Sequence, residues 1–128
     1  MEQKCKDRVR PALQARIQDI RELWNAYQSG QDDIHEYGLS FDYVAAGTFH
    51  EQDEGFYRWL LSWGGPSDEF RFYTDASGHL HRIEYWFMDW GDGAHVTLSG
   101  RNRELLAEWF ELMNEIGSVE HALQQSRD

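Results

Sequence analysis

The segment from His79 to Trp90 (HLHRIEYWFMDW) constrains the fold more than any other stretch of this chain. On a pleated strand alternate side chains share a face, so Ile83, Tyr85 and Phe87 form one apolar side. The other side opens polar, with Arg82 and Glu84, and then turns to Trp86, Met88 and Trp90. No glycine or proline interrupts the run, as a ladder strand requires. Its second half is apolar on both sides. That pattern predicts a central strand, either covered twice or displaying an aromatic patch.

Shorter strands surround it. Residues 39–43 alternate apolar and polar and read as a half-buried first strand. After an acidic loop over 47–55, residues 56–63 form a second, with Tyr57, Trp59, Leu61 and Trp63 on one face. Gly64, Gly65, Pro66 and Ser67 turn the chain. Phe70 and Phe72 mark a third strand whose other face carries Glu69, Arg71 and Tyr73. Charge selects the register of this strand against the long one. A four-residue loop would set Arg71 opposite Arg82 and Glu69 opposite Glu84, and like charges directly opposed destabilise a sheet. A two-residue Ser77-Gly78 turn instead sets Arg71 opposite Glu84 and Tyr73 opposite Arg82, and this is the expected register. Asp92-Gly93 predicts a second two-residue hairpin. It would place Phe87 opposite Leu98 and Asp89 opposite Val96, with a fifth strand over 94–99.

Helices flank these strands. Residues 1–9 mix bases with few apolar groups and are expected to fray. Pro11 suits a first helical turn, and Leu13, Ile17, Ile20, Trp24 and Tyr27 then make an apolar stripe ended by Ser29-Gly30. A polar linker follows over 31–38, with Asp32 and Asp33. The last long helix is expected over 101–116, with Leu105, Trp109, Leu112 and Ile116 as its stripe and Leu106 and Met113 beside it. Gly117 stops it, and Ser118 caps a short terminal helix to about Gln125. The expected architecture is one α+β domain over residues 1–128: N-terminal helix, five-stranded antiparallel β-meander, C-terminal helix. The sequence leaves open which sheet face the helices cover.

Charge narrows the function. Twenty-three acids against twelve bases give −11, distributed as +2 over residues 1–27, −10 over 28–100 and −3 over 101–128. Binding nucleic acid directly needs the opposite sign, because Lys and Arg neutralise phosphates. The single cysteine, Cys5, cannot form an intramolecular disulfide and fits a reducing compartment. No apolar run is long enough to span a membrane and no apolar signal core opens the chain, so a cytoplasmic protein without a membrane role is expected.

Chemistry-bearing groups are few. His79 and His81 lie two apart on one strand, with His95 across the next hairpin; ordinary hairpin histidines fit better than a metal site, for want of a third ligand. His35, His50 and His121 are scattered. Asp89 has the parity of the core face, and a turn-capping role suits it better than general acid–base work. Nucleophile motifs, phosphate-cradling loops and zinc-type cysteine pairs are absent, so neither a catalytic residue nor a cofactor is expected, and the reading leans away from an enzyme. Arg58, Arg71 and Arg82, the only bases between residues 28 and 100, share the polar sheet face with Tyr73, Trp86 and Met88. They could line a shallow site for an anionic ligand, or simply pair with Glu69 and Glu84. Glu104, Glu108, Glu111 and Glu115 fall on one face of the last long helix. At ~1.5 Å per residue they place about one charge every 5 Å, against one per ~3.4 Å along a DNA strand.

The runs WGGPSDEFRFY (Trp63 to Tyr73) and RIEYWFMDWGDGA (Arg82 to Ala94) resemble small acidic proteins carried on bacterial plasmids and integrative elements. The resemblance covers the central half of the chain and transfers no functional residue. It implies a role against host defence or in element maintenance, where acidic inhibitors imitate nucleic acid. The function expected first is a non-enzymatic acidic interaction protein that binds a basic, nucleic-acid-binding partner through the glutamate stripe. The alternative is a small anionic-ligand-binding or enzymatic domain using Arg58, Arg71, Arg82 and Trp86. Self-association through Trp86, Met88 and Trp90 is a third expectation.

Overall fold

A computed structural model describes residues 4–31 and 34–127. Its elements in chain order are α1 (Cys5–Gln28), a 3-10 turn (Ile34–Glu36), β1 (Ser40–Val44), β2 (Phe56–Ser62), β3 (Ser67–Thr74), β4 (Leu80–Asp89), β5 (Asp92–Thr97), α2 (Gly100–Glu115) and α3 (Ser118–Arg127). The strands form an antiparallel sheet in the order β1-β2-β3-β4-β5, the expected meander. Asp32 and Asp33, in the expected linker, lie outside the described residues. Among those described, no helix is long and apolar enough to cross a membrane.

All three helices pack on one face of the sheet: α1 over β4 and β5, α3 over β1, and α2 between them. Helix α1 buries Cys5, Val9, Leu13, Ile17, Ile20 and Trp24, a single stripe at helical spacing. It therefore starts earlier than expected. Cys5 and Val9 are core residues rather than part of a frayed end, and Pro11 sits inside the helix on its exposed side. The early start has a cause in the sheet, because the Cys5 amide donates to the Asp92 carboxylate at 2.8 Å. That bond satisfies one of the amides every helix N-terminus leaves unpaired. In α2 the buried stripe is Leu105, Leu106, Trp109, Phe110 and Met113. Ile116, expected in it, is exposed, since the helix ends at Glu115 and Gly117 (φ 87°) turns the chain into α3.

Against these helices the sheet presents Tyr57, Trp59 and Leu61 of β2, Phe70 and Phe72 of β3, and Ile83, Tyr85 and Phe87 of β4. Each such side chain contributes ~1.5–3 kcal/mol on burial. Aromatic contacts fix the layer: Trp59 stacks on Trp109 at 3.7 Å and Phe72 on Phe110 at 4.9 Å. The middle strand by order is β3, not β4, although β4 is the longest. Hydropathy could not reveal this. Residues 67–73 are all buried, yet they include Asp68, Glu69 and Arg71, kept inside by ion pairs.

The β3–β4 register is the expected one, with Arg71 opposite Glu84 and Tyr73 opposite Arg82. The turn differs. Asp75 closes it through its backbone and carboxylate, Gly78 takes φ 85°, and an irregularity between Tyr73 and Thr74 absorbs the extra residue. The β4–β5 register does not match. Trp90 (φ 52°) and Gly91 (φ 76°) form the two-residue turn in place of Asp92-Gly93, which places Phe87 opposite Ala94 and Asp89 opposite Asp92. The slip is an even number of residues, so every side chain keeps its predicted face.

Candidate functional site

The other face of the sheet carries no helix. Strand parity sends Arg58 of β2, Glu69, Arg71 and Tyr73 of β3, and Arg82, Glu84, Trp86 and Met88 of β4 to it, as expected. The loop between β1 and β2 folds back over its edge. Gln52 holds that loop by accepting from the Phe49 amide (2.9 Å) and donating to the Glu54 carbonyl (2.8 Å). Phe49 consequently lies against Phe56, and Val44, Phe56 and Tyr73 form a small second core beneath. Loop and sheet together enclose an open-mouthed cavity of about 640 Å³.

Its floor is built from buried charge. Arg71 donates from Nε to Glu69 Oε2 at 2.8 Å, and both side chains are at least nine-tenths buried. The guanidinium carbon lies 3.9 Å from the Trp86 ring centroid and 4.5 Å from that of Phe56, so aromatic faces fix its plane. Glu84 is the second centre. It accepts from the Tyr73 hydroxyl and the Trp86 indole, each at 2.9 Å, and pairs with Arg82 Nε at 3.1 Å. Burial, then the Glu84 charge, pushes the Tyr73 hydroxyl above its ordinary pKa. Arg58 makes a two-pronged pair with Asp42 (3.0 and 2.7 Å), and this hydrogen bonding outweighs its burial and strengthens its hold on the proton.

All three arginines are thus paired with carboxylates, though not all as expected. Arg71 stands opposite Glu84 but pairs with Glu69 on its own strand, and Arg58 takes Asp42. Arg58 also lies directly opposite Arg71, a like-charge juxtaposition made tolerable because each has its own acid. Sequence reasoning missed Phe49 as a wall and Phe56 as the support beneath the Arg71 guanidinium. The parity of Phe56 with Arg58 could have revealed the second, whereas nothing in a loop sequence reveals the first.

The remaining candidates are spread over the molecule. His79 is exposed at the β3–β4 tip, His81 is 3.5 Å from Glu54, and the His95 ring stacks on Trp86 at 4.4 Å. Among the described residues no three His, Cys, Asp or Glu side chains are grouped to hold a metal ion. Asp89 does face the helices, but it accepts from Arg8 at 2.6 Å instead of capping its turn. Unforeseen was the charge centre beneath β3. Buried Asp68 accepts from Arg16 Nε and Nη2 (2.7 and 2.9 Å), from the Tyr85 hydroxyl (2.6 Å) and from Ser62 Oγ. Burial foremost, with Asp68 adding to it, drives the Tyr85 hydroxyl far above its ordinary pKa.

On the outer side of α2, Glu104, Glu108, Glu111 and Glu115 are all exposed, and none forms an ion pair with another described residue. Arg21 and Arg101 line the groove between α1 and α2 near Glu104 and Glu108, so the stripe has bases at its N-terminal end only. Trp90 is 90% exposed, and Trp63, at the same end of the sheet, 74%. Trp86 and Met88 are half-buried within the cavity wall, so the predicted patch is divided between cavity and hairpin tip. No family model, curated protein or solved structure matches the chain.

Proposed function

We propose that this chain is a non-enzymatic acidic interaction protein whose α2 outer face binds a basic protein, its glutamates standing in for the phosphates of a nucleic acid. One observation carries the reading: four carboxylates in a row, exposed and without an ion-pair partner among the described residues. Like charges at i,i+4 cost a helix a few tenths of a kcal/mol each, so the arrangement is kept against its own folding interest. The resemblance to acidic proteins of plasmids and integrative elements makes a nucleic-acid-binding host protein the fitting partner, and the cytoplasm the fitting place. Self-association is an accompanying reading, now centred on Trp90 with Trp63 rather than on Trp86 and Met88.

The test is affinity capture from host lysate with the unmodified chain, an E104Q/E108Q/E111Q/E115Q variant, and a D32N/D33N control. The reading expects a basic protein retained by the unmodified chain and by the control, lost in the stripe variant, and released by added salt. Equal retention by all three would reduce the acidity to a solubility device.

A further inference from the structure

We infer that the cavity over the open sheet face is a binding site for a small monocarboxylate with an apolar, aromatic-sized body, its carboxylate held by the Arg71 guanidinium. This stands apart from the α2 surface and does not depend on it. Arg71 is the best-fixed charged side chain on this face: Nε is tied to Glu69, and the plane is held between Trp86 and Phe56. Its two terminal nitrogens, Nη1 and Nη2, make no hydrogen bond to any described residue and are open to the cavity, although the side chain as a whole is only 10% exposed. Unpaired donors on a guanidinium already fixed in place lose little on taking an acceptor, and its planar edge matches a carboxylate with two parallel hydrogen bonds. The floor's other charges are already matched. Glu84 has the Tyr73 and Trp86 donors and the Arg82 charge 3.1 Å away, and Arg58 has both oxygens of Asp42.

The walls set the charge and shape of the ligand. Three arginines face five carboxylates, Glu51, Asp53, Glu54, Glu69 and Glu84, so the lining is net negative by two. Arg71 must hold an anion against that net negative surround, which disfavours a phosphate dianion more than a single carboxylate. Phe49, Trp63, Trp86 and Met88 supply apolar surface around the mouth, and the volume falls within the ~300–1,000 Å³ typical of small-molecule sites. A carboxylate on a flat apolar body places each part against its match.

The test titrates the unmodified protein with phenylacetate and indole-3-acetate, following the Trp86 indole N–H resonance. Indole-3-acetamide and inorganic phosphate are the comparison probes. Saturable shifts are expected for both carboxylates, with the amide and phosphate at least tenfold weaker. Arg71→Lys keeps the charge but removes the fork and should bind at least tenfold more weakly, whereas Arg101→Gln, outside the cavity, should bind unchanged. The inference is overturned if neither carboxylate gives a saturable shift, if the amide binds as tightly as the acid, if phosphate binds more tightly, or if a folded Arg71→Lys variant keeps full affinity. Should that variant fail to fold, the acid-against-amide comparison in the unmodified protein decides alone.

Discussion

Replacing Asp68 with asparagine tests whether the charge centre under β3 holds α1 to the sheet. Asp68 is 4% exposed and accepts four hydrogen bonds, two of them from Arg16. Asparagine fills nearly the same space but removes the charge, and its amide group turns donors toward donors. Breaking a buried pair from one side costs about 3–5 kcal/mol, because the other charge stays behind uncompensated. The Arg16 side chain is a quarter exposed and also donates to the Tyr37 hydroxyl, so it can turn partly to water. The lower end, about 3 kcal/mol, is therefore expected. In a chain of this size that lowers Tm by roughly 10 °C. Urea unfolding followed by tryptophan fluorescence would measure it. An R16M/D68L double variant should lose less than D68N alone, since replacing a whole buried pair with apolar groups is often close to neutral. A loss below 1 kcal/mol in D68N, or a double variant that falls by the sum of its single losses, would refute the argument.

Other outcomes follow from the same contacts. Tyr37, Tyr57, Tyr73 and Tyr85 all hold their protons more tightly than a free tyrosine, with burial the leading cause. The unfolded chain releases these protons near pH 10 while the folded chain keeps them, so stability should be intact below pH 10 and fall as pH rises above it; absorbance at 295 nm should show the four ionising only with unfolding. Gly38→Ala should cost about 2–3 kcal/mol, because φ is 89° and the new Cβ would sit 2.5 Å from Nε1 of a Trp59 held by its stack on Trp109. Gly30→Ala (φ 75°, open space) is the control and should lose only about 1 kcal/mol. Trp90→Asn should raise stability by up to about 1 kcal/mol in thermal unfolding, since asparagine accepts the left-handed turn position and the indole buries almost nothing. If Trp90 also mediates self-association, sedimentation of that variant at high micromolar concentration should show less dimer than the unmodified protein.

The fold was legible wherever one periodicity acted alone. Alternation named the faces of β2, β3 and β4, and opposed charges selected the β3–β4 register even though the turn is longer than the two residues that selected it. The β4–β5 turn was misplaced because Asp92-Gly93 carries the stronger turn signal, whereas Asp92 in fact anchors the Cys5 amide, 87 residues away. No local rule sees that partner. Asp68 shares parity with Phe70 and Phe72, so its place on the covered face was readable. Its partner Arg16 was not, because nothing in α1 says which sheet face it will cover. The open face was read to the right arginines, but Arg71 pairs along its own strand with Glu69, which cross-strand reasoning does not consider, and Arg58 pairs with Asp42 directly opposite on β1, a register the sequence reading did not work out.

These pairings also locate the charge excess. The six bases among the first 27 residues look like a local surplus, yet α1 directs two of them into the sheet: Arg16 meets Asp68 and Arg8 meets Asp89, while the helix's own N-terminus meets Asp92. On the open face the three arginines meet Asp42, Glu69, Glu84 and Glu54. Nearly every acid in contact with the sheet is thereby answered, and unanswered charge collects on the outer side of α2 and the rim of the β1–β2 loop. Stability and association should therefore respond to different residues. Neutralising Arg16 or Asp68 should loosen α1 and lower Tm. Neutralising the α2 glutamates should leave Tm level or slightly higher, by relief of i,i+4 repulsion, and should act on binding alone.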